Sequence, residues 1–268
     1  MPQFYDSINE ELQEWALKQS VFFTASAPLA GKHINVSPKG LPASSFSILS
    51  PNQAAYIDAT GSGSETIAHL YENGRITIMF CSFDAGPRIL RFFCTGKVVE
   101  WNQQEFQILL SKMGDNKRID GARAVILLDV FKVQTSCGFG VPRLSIRKLG
   151  DKTDDKMGDK MGDIAFDKEG ENKNWVAGFE DRETLGHWAS KKVEKKQLQA
   201  YQQEWNSDSL DGLTGLKEAR RGRGEILWYT DLRAWLRRIL AQREAVAFGF
   251  CVASVLYASH IAWWKLSC

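Results

Sequence analysis

Paired cysteines, clustered histidines and an excess of either charge are all missing from this sequence. Its five cysteines, Cys81, Cys94, Cys137, Cys251 and Cys268, are odd in number and never stand at Cys-x-x-Cys spacing. That argues against a disulfide framework and for free thiols in a reduced setting. Four scattered histidines offer no ligand spacing, so no metal centre is expected. With 34 basic and 32 acidic residues the net charge is +2, too small to argue for a nucleic-acid partner. The first residues, Met1 to Asp6, carry no basic segment followed by an apolar one, so no secretory leader is expected. No Ser-His-Asp order, paired-carboxylate pattern or nucleotide P-loop can be assembled. A Gly-x-Gly follows an extended run at 61–63, but position 66 is Thr, which breaks the dinucleotide fingerprint.

What the chain does have is many short extended runs. An amphipathic helix over 7–19, with Ser7 and Glu10 as a capping box and Ile8, Leu12 and Trp15 on one face, leads into runs at 21–25, 33–37, 46–49 and 54–58. Glycine and proline separate them. After a helix at 65–73 come two long strand-like runs, 75–83 and 88–101, joined by a turn at Asp84-Ala85-Gly86-Pro87. A helix at 103–112 and a strand at 123–135 follow. Closely spaced strands with few helices predict a mainly β, antiparallel barrel or sandwich ending near Pro142.

The second half differs. Residues 143–175 are expected as a flexible charged insertion, in which Asp155-Lys156-Met157-Gly158 recurs at once as Asp159-Lys160-Met161-Gly162. Residues 176–241 read as a helical extension, with Leu185, Trp188, Val193, Leu198 and Tyr201 set among charges over 180–204. Residues 245–264 hold no Asp, Glu, Lys or Arg. Twenty helical residues span about 30 Å, the thickness of a bilayer core. Arg233, Arg237, Arg238 and Arg243 precede the run, and Trp263 and Trp264 stand at its end. The pattern predicts a transmembrane helix, a tail anchor with the rest of the chain on the cytosolic face of an intracellular membrane. The alternative is a docking helix, because Gly249, Ser254, Ser259 and His260 lower the hydropathy.

The candidate site is the turn between the run at 54–58 and the helix at 65–73. Gly61 and Gly63 permit a tight turn, Ser64 suits an N-cap, and Ser62, Ser64 and Thr66 add hydroxyls. Bare amides and the helix dipole favour an anion at such a turn. Lys39, Arg88 and Arg91 are the candidate cations, since ammonium and guanidinium groups suit phosphate. The structural alternatives are a capped strand-to-helix turn and exposed strand arginines. Cys137, beside Gly138 and Gly140, reads as a small buried residue in a tight turn or as a neighbour of a bound cofactor.

The order Val36-Ser37-Pro38-Lys39-Gly40, then Asp58 to Ser64, then Pro87-Arg88-Ile89-Leu90-Arg91 and Gly96-Lys97-Val98 resembles the pyridoxamine 5′-phosphate oxidase-like family of FMN-binding proteins. Residues 134–142 are similar to a fungal branch of it, and the region 205–220 looks like that branch's C-terminal extension. The resemblance covers about residues 5–142 and implies a six-stranded split β-barrel, a homodimer with FMN at the subunit interface, and a small-molecule substrate. It puts the flavin phosphate near Gly61, Ser62, Gly63, Ser64 and Thr66 with Arg88 reaching in, and Ser37 and Lys39 facing the ring. Two departures stand out: Ser64-Glu65-Thr66 replaces the classical Ser-Arg-Lys, and no Arg-x-His motif follows residue 142. The resemblance implies an FMN-dependent oxidase or reductase, and the two departures argue against vitamin B6 oxidation as its reaction. A non-catalytic relative that binds flavin, haem or deazaflavin, or serves as a scaffold, is the alternative.

Overall fold

The computed structural model describes residues 2–29, 31–61, 63–115, 117, 119, 121–148, 164–165, 175–180, 184–209 and 214–267. It divides into two compact units, residues 1–185 and 186–268.

In the first unit, β1 (Gln3–Tyr5), α1 (Glu10–Leu17), β2 (Val21–Ser26), β3 (Asn35–Gly40), α2 (Pro42–Ser45), β4 (Phe46–Ser50) and β5 (Gln53–Ala59) lead to α3 (Glu65–Asn73). Then come β6 (Arg75–Cys81), β7 (Arg88–Glu100), α4 (Gln104–Met113) and β8 (Ala122–Cys137). The sheet order is β3-β2-β6-β7-β8-β5-β4, every pairing antiparallel, with β1 added on β8. This is an antiparallel sheet consistent with a split barrel, but it has eight strands where six are expected. The 16-residue β8 is long enough to serve two neighbours on one edge: β5 against its first half, β1 against Val133 to Thr135. A three-residue strand such as β1 is too short for an alternating pattern to reveal.

Period-two burial explains the core. Phe22 on β2, Phe46 on β4, Phe80 on β6 and Phe92 on β7 are fully buried and pack with ring centroids 5.2–6.4 Å apart, mostly edge to face. Ile8, just before α1, and Leu12 and Ala16 of α1 join this cluster. β5 is buried on both faces, which is why it reads as a continuous run: Ala54 and Tyr56 enter the main core, while Ala55 and Ile57 pack with Phe106, Leu109 and Met113 of α4. The N-cap of α1 is Asn9, whose side chain accepts from the Leu12 amide at 2.9 Å, not Ser7. The helix thus starts two residues later than the capping-box pattern suggests, and the Ile8 amide ahead of it donates to the Pro51 carbonyl at 2.7 Å. Gly74, at φ 70°, ends α3 in the left-handed conformation that glycine adopts without strain.

A second, three-stranded antiparallel sheet orders β9 (Arg143–Lys148), β10 (Ile164–Ala165) and β11 (Trp175–Glu180) as β10-β11-β9. It takes in parts of the stretch expected as a charged insertion; the Asp-Lys-Met-Gly repeats lie outside the described residues.

From Thr184 onward the chain is helical: α5 (Thr184–Glu194), α6 (Leu198–Trp205), α7 (Lys217–Gly222), α8 (Leu227–Ala241) and α9 (Arg243–Ser267). Trp188 meets Tyr201 with ring centroids 4.9 Å apart. Arg220 is 1% exposed and is held by Glu225 at 3.1 Å, Asp231 at 2.8 Å and Thr230. Two carboxylates make burial of that guanidinium tolerable. The expected transmembrane helix is corrected here: among the described residues no helix is long and apolar enough to cross a membrane. Gly249, Ser254, Ser259 and His260 interrupt the apolar stretch of α9, with Ser254 and Ser259 donating back to the Phe250 and Val255 carbonyls at 2.9 and 2.8 Å. The tail anchor falls with it, as does the localisation on an intracellular membrane.

Candidate functional site

A cleft of about 150 Å³ opens where β3, the end of β5, the start of β8 and the N-terminus of α3 meet. β3 alternates, so Asn35, Ser37 and Lys39 turn inward and half-buried while Val36, Pro38 and Gly40 are exposed. Opposite them lies Asp58, 1% exposed. Lys39 Nζ donates to Asp58 Oδ1 at 3.2 Å and Arg123 Nε to Oδ2 at 2.7 Å. A carboxylate this deep keeps its charge only beside such partners. Both cations remain 26% exposed.

The backbone places Arg123. Asp58 pairs with Ala124 and Ala59 with Ala122, so Arg123 is the extra residue of a β-bulge. A bulge re-aims its side chain. Arg123 Nη2 also donates to the Gly63 carbonyl at 2.7 Å and ties the glycine turn to β8. Asn35 Nδ2 donates to Thr66 Oγ1 at 2.9 Å, and Ser37 Oγ to Asn35 Oδ1 at 3.2 Å, which joins β3 to the first turn of α3. Near the cleft, Tyr56 is fully buried. Desolvation, reinforced by the charge of Asp58, pushes its phenol well above the ordinary range, so it stays neutral.

Of the candidates read from sequence, Ser37, Lys39, Gly61, Gly63 and Thr66 come together around this cleft. Ser64 occupies the N-cap position of α3 without a side-chain cap hydrogen bond. Ser62 lies outside the described residues. The two β7 arginines go elsewhere within the chain. Arg88 Nη1 donates to Glu11 Oε1 at 3.0 Å and its guanidinium lies 5.7 Å from the Trp15 ring centroid, which fastens α1 to the sheet. Arg91 donates to Gln134 and Ser136, both at 3.3 Å, and burial lowers its pKa. Sequence reading missed Asn35, Asp58 and Arg123. An acid ending the apolar run at 54–58 was the available signal, since a buried carboxylate demands a cation, but nothing local says which one.

Residues 8–137 match the family described as "Pyridoxamine 5′-phosphate oxidase". Over 252 residues the chain is 48% identical to the "Pyridoxamine 5′-phosphate oxidase family protein ustO" of Aspergillus flavus, covering 94% of this chain and 93% of that relative. The chain belongs to the pyridoxamine 5′-phosphate oxidase family. Among solved structures, this family member is similar to HutZ, the heme storage protein of Vibrio cholerae, with 14% identity, TM-score 0.34, and coverage of 46% of this chain and 89% of that one. It is also similar to an FMN-binding protein from Syntrophomonas wolfei, with 11% identity, TM-score 0.31, and coverage of 46% and 88%. Among the described residues there is no group of metal-ligating side chains.

Proposed function

We propose that this family member is an FMN-dependent oxidoreductase acting on a small molecule, with the cleft between β3 and α3 receiving the phosphate-bearing tail of the flavin. The observation that carries this reading is the pair of cations at the cleft. Asp58 holds Lys39 and Arg123 in place, and a lysine has three donors and an arginine five, so both keep donors for a ligand. Ser37, Thr66 and Asn35 add neutral hydrogen-bonding groups beside them. These residues fit a phosphorylated polyol. The bound flavin would supply the hydride chemistry, while this chain orients its tail and sets the charge around it.

A cleft of about 150 Å³ is smaller than the about 300–1,000 Å³ usual for sites that enclose a ligand of this size. The isoalloxazine ring would therefore extend beyond this cleft, which supports a homodimer in which a second copy covers it. In that arrangement the barrel of residues 1–142 carries the cofactor and residues 176–241 form an extension of the fold. A second reading, a family member that binds a flat cofactor without catalysis or serves as a scaffold, is favoured by one observation: both cleft cations are already paired with Asp58, and a second carboxylate, Glu65, lines the same cleft.

The test is an absorbance spectrum of the purified full-length protein before and after addition of FMN, followed by gel filtration. Flavin bands retained in stoichiometric amount, and bleached by a reducing substrate, are expected. Retained flavin that no reductant or substrate turns over would support the second reading. A colourless protein that loses added FMN would refute the first.

A further inference from the structure

Glu65 is the first residue of α3 and lines the same cleft. Its carboxylate folds back over Gly63 and takes the space that a side chain on that glycine would occupy. It therefore puts a fixed negative charge on the mouth of the turn, beside the helix N-terminus that would otherwise attract a ligand anion. Counting the ionised groups that line the cleft gives Lys39 and Arg123 against Asp58 and Glu65, a balance of zero. A phosphate monoester brings a charge of about −1.5 to −2 at neutral pH into this space. An uncharged polyol tail instead offers hydroxyl donors, which a carboxylate, acceptor-only when ionised, can receive.

We propose that Glu65 is a specificity-determining residue that offsets the cleft cations, so that the protein takes phosphorylated and unphosphorylated flavin with similar affinity. The inference rests on the reading that this cleft holds the flavin tail. It deepens that reading by naming the residue that sets which flavin is taken. Asp58 does not have this role, because its two oxygens are turned to Lys39 and Arg123 and its side chain is 1% exposed. Glu65 is exposed and faces the entering ligand.

The experiment compares FMN with riboflavin, which differ only in the phosphate, by quenching of flavin fluorescence on binding to full-length protein. Wild type is expected to bind the two within about threefold, because the cations and Glu65 act on the phosphate with opposite sign. Glu65→Gln keeps the size and removes the charge; it should tighten FMN relative to riboflavin by about tenfold, equivalent to about 1.4 kcal/mol. Glu65→Asp, which keeps the charge, should stay near wild type. A circular dichroism spectrum and a urea midpoint that match wild type show that each variant is folded. A wild type that already prefers FMN by tenfold or more would overturn the proposal, and so would a Glu65→Gln variant with the wild-type ratio. Failure of both flavins to bind any variant would instead overturn the flavin reading itself, and the role of Glu65 with it.

Discussion

Removing the charge of Asp58 tests the electrostatic frame of the cleft. Asp58→Asn keeps the side-chain volume but leaves Lys39 and Arg123, until then 3.2 and 2.7 Å from its oxygens, without their counter-charge. Breaking a buried ion pair from one side costs about 3–5 kcal/mol when the remaining charge stays buried. Here both cations are 26% exposed, so water recovers part of that loss, and about 2–4 kcal/mol is the expected destabilisation. The denaturant slope of a domain this size in urea is about 2 kcal/mol per M, so the midpoint should fall by about 1–2 M. Urea titrations of wild type and Asp58→Asn, followed by circular dichroism of the strand signal, measure this directly. Lys39→Met in the same assay should cost less, because Asp58 keeps Arg123. A midpoint for Asp58→Asn within about 0.3 M of wild type, equivalent to about 0.6 kcal/mol, would show that the triad does not hold the cleft together.

Other consequences follow from the packing. Phe80→Ala removes a fully buried ring in contact with Phe22, Phe46 and Phe92, and should cost about 3–5 kcal/mol in the same titration. A side chain on Gly138 would approach the Arg88 backbone nitrogen to 2.6 Å, so Gly138→Ala should destabilise by about 1–3 kcal/mol through forced separation of β7 and β8. Burial raises the thiol pKa of both Cys81 and Cys94, so both stay protonated at neutral pH and should resist alkylation in the native protein. Cys137, exposed where a buried residue was expected, and Cys251, also exposed, should be modified first, as peptide mass mapping after brief iodoacetamide treatment would show.

Local pattern carried a good deal of this protein. The helix expected at 65–73 is α3 with the same bounds, and the long runs at 75–83 and 88–101 correspond to β6 and β7, because period-two and period-3.6 burial leave direct marks in a sequence. The glycine turn was visible as well, whereas Ser37 was named only through the family resemblance and Lys39 was expected in a turn after 33–37 and not on the inward face of a strand. Hydropathy alone misled over 245–264, where an uncharged run predicted a transmembrane helix that the described residues do not contain.

What the sequence determined by itself was therefore the longer helices and strands of the first 137 residues, since these depend on side chains a few positions apart; β1, α2 and the small sheet of β9, β10 and β11 were not legible. The tertiary structure decided which charges meet. Arg88 is a free cation on paper and fastens α1 through Glu11 and Trp15 in the fold. Arg123, 65 positions from Asp58, becomes its partner because a bulge in β8 turns the side chain into the cleft. Pairing register and bulges bring distant residues together, and no local pattern records them.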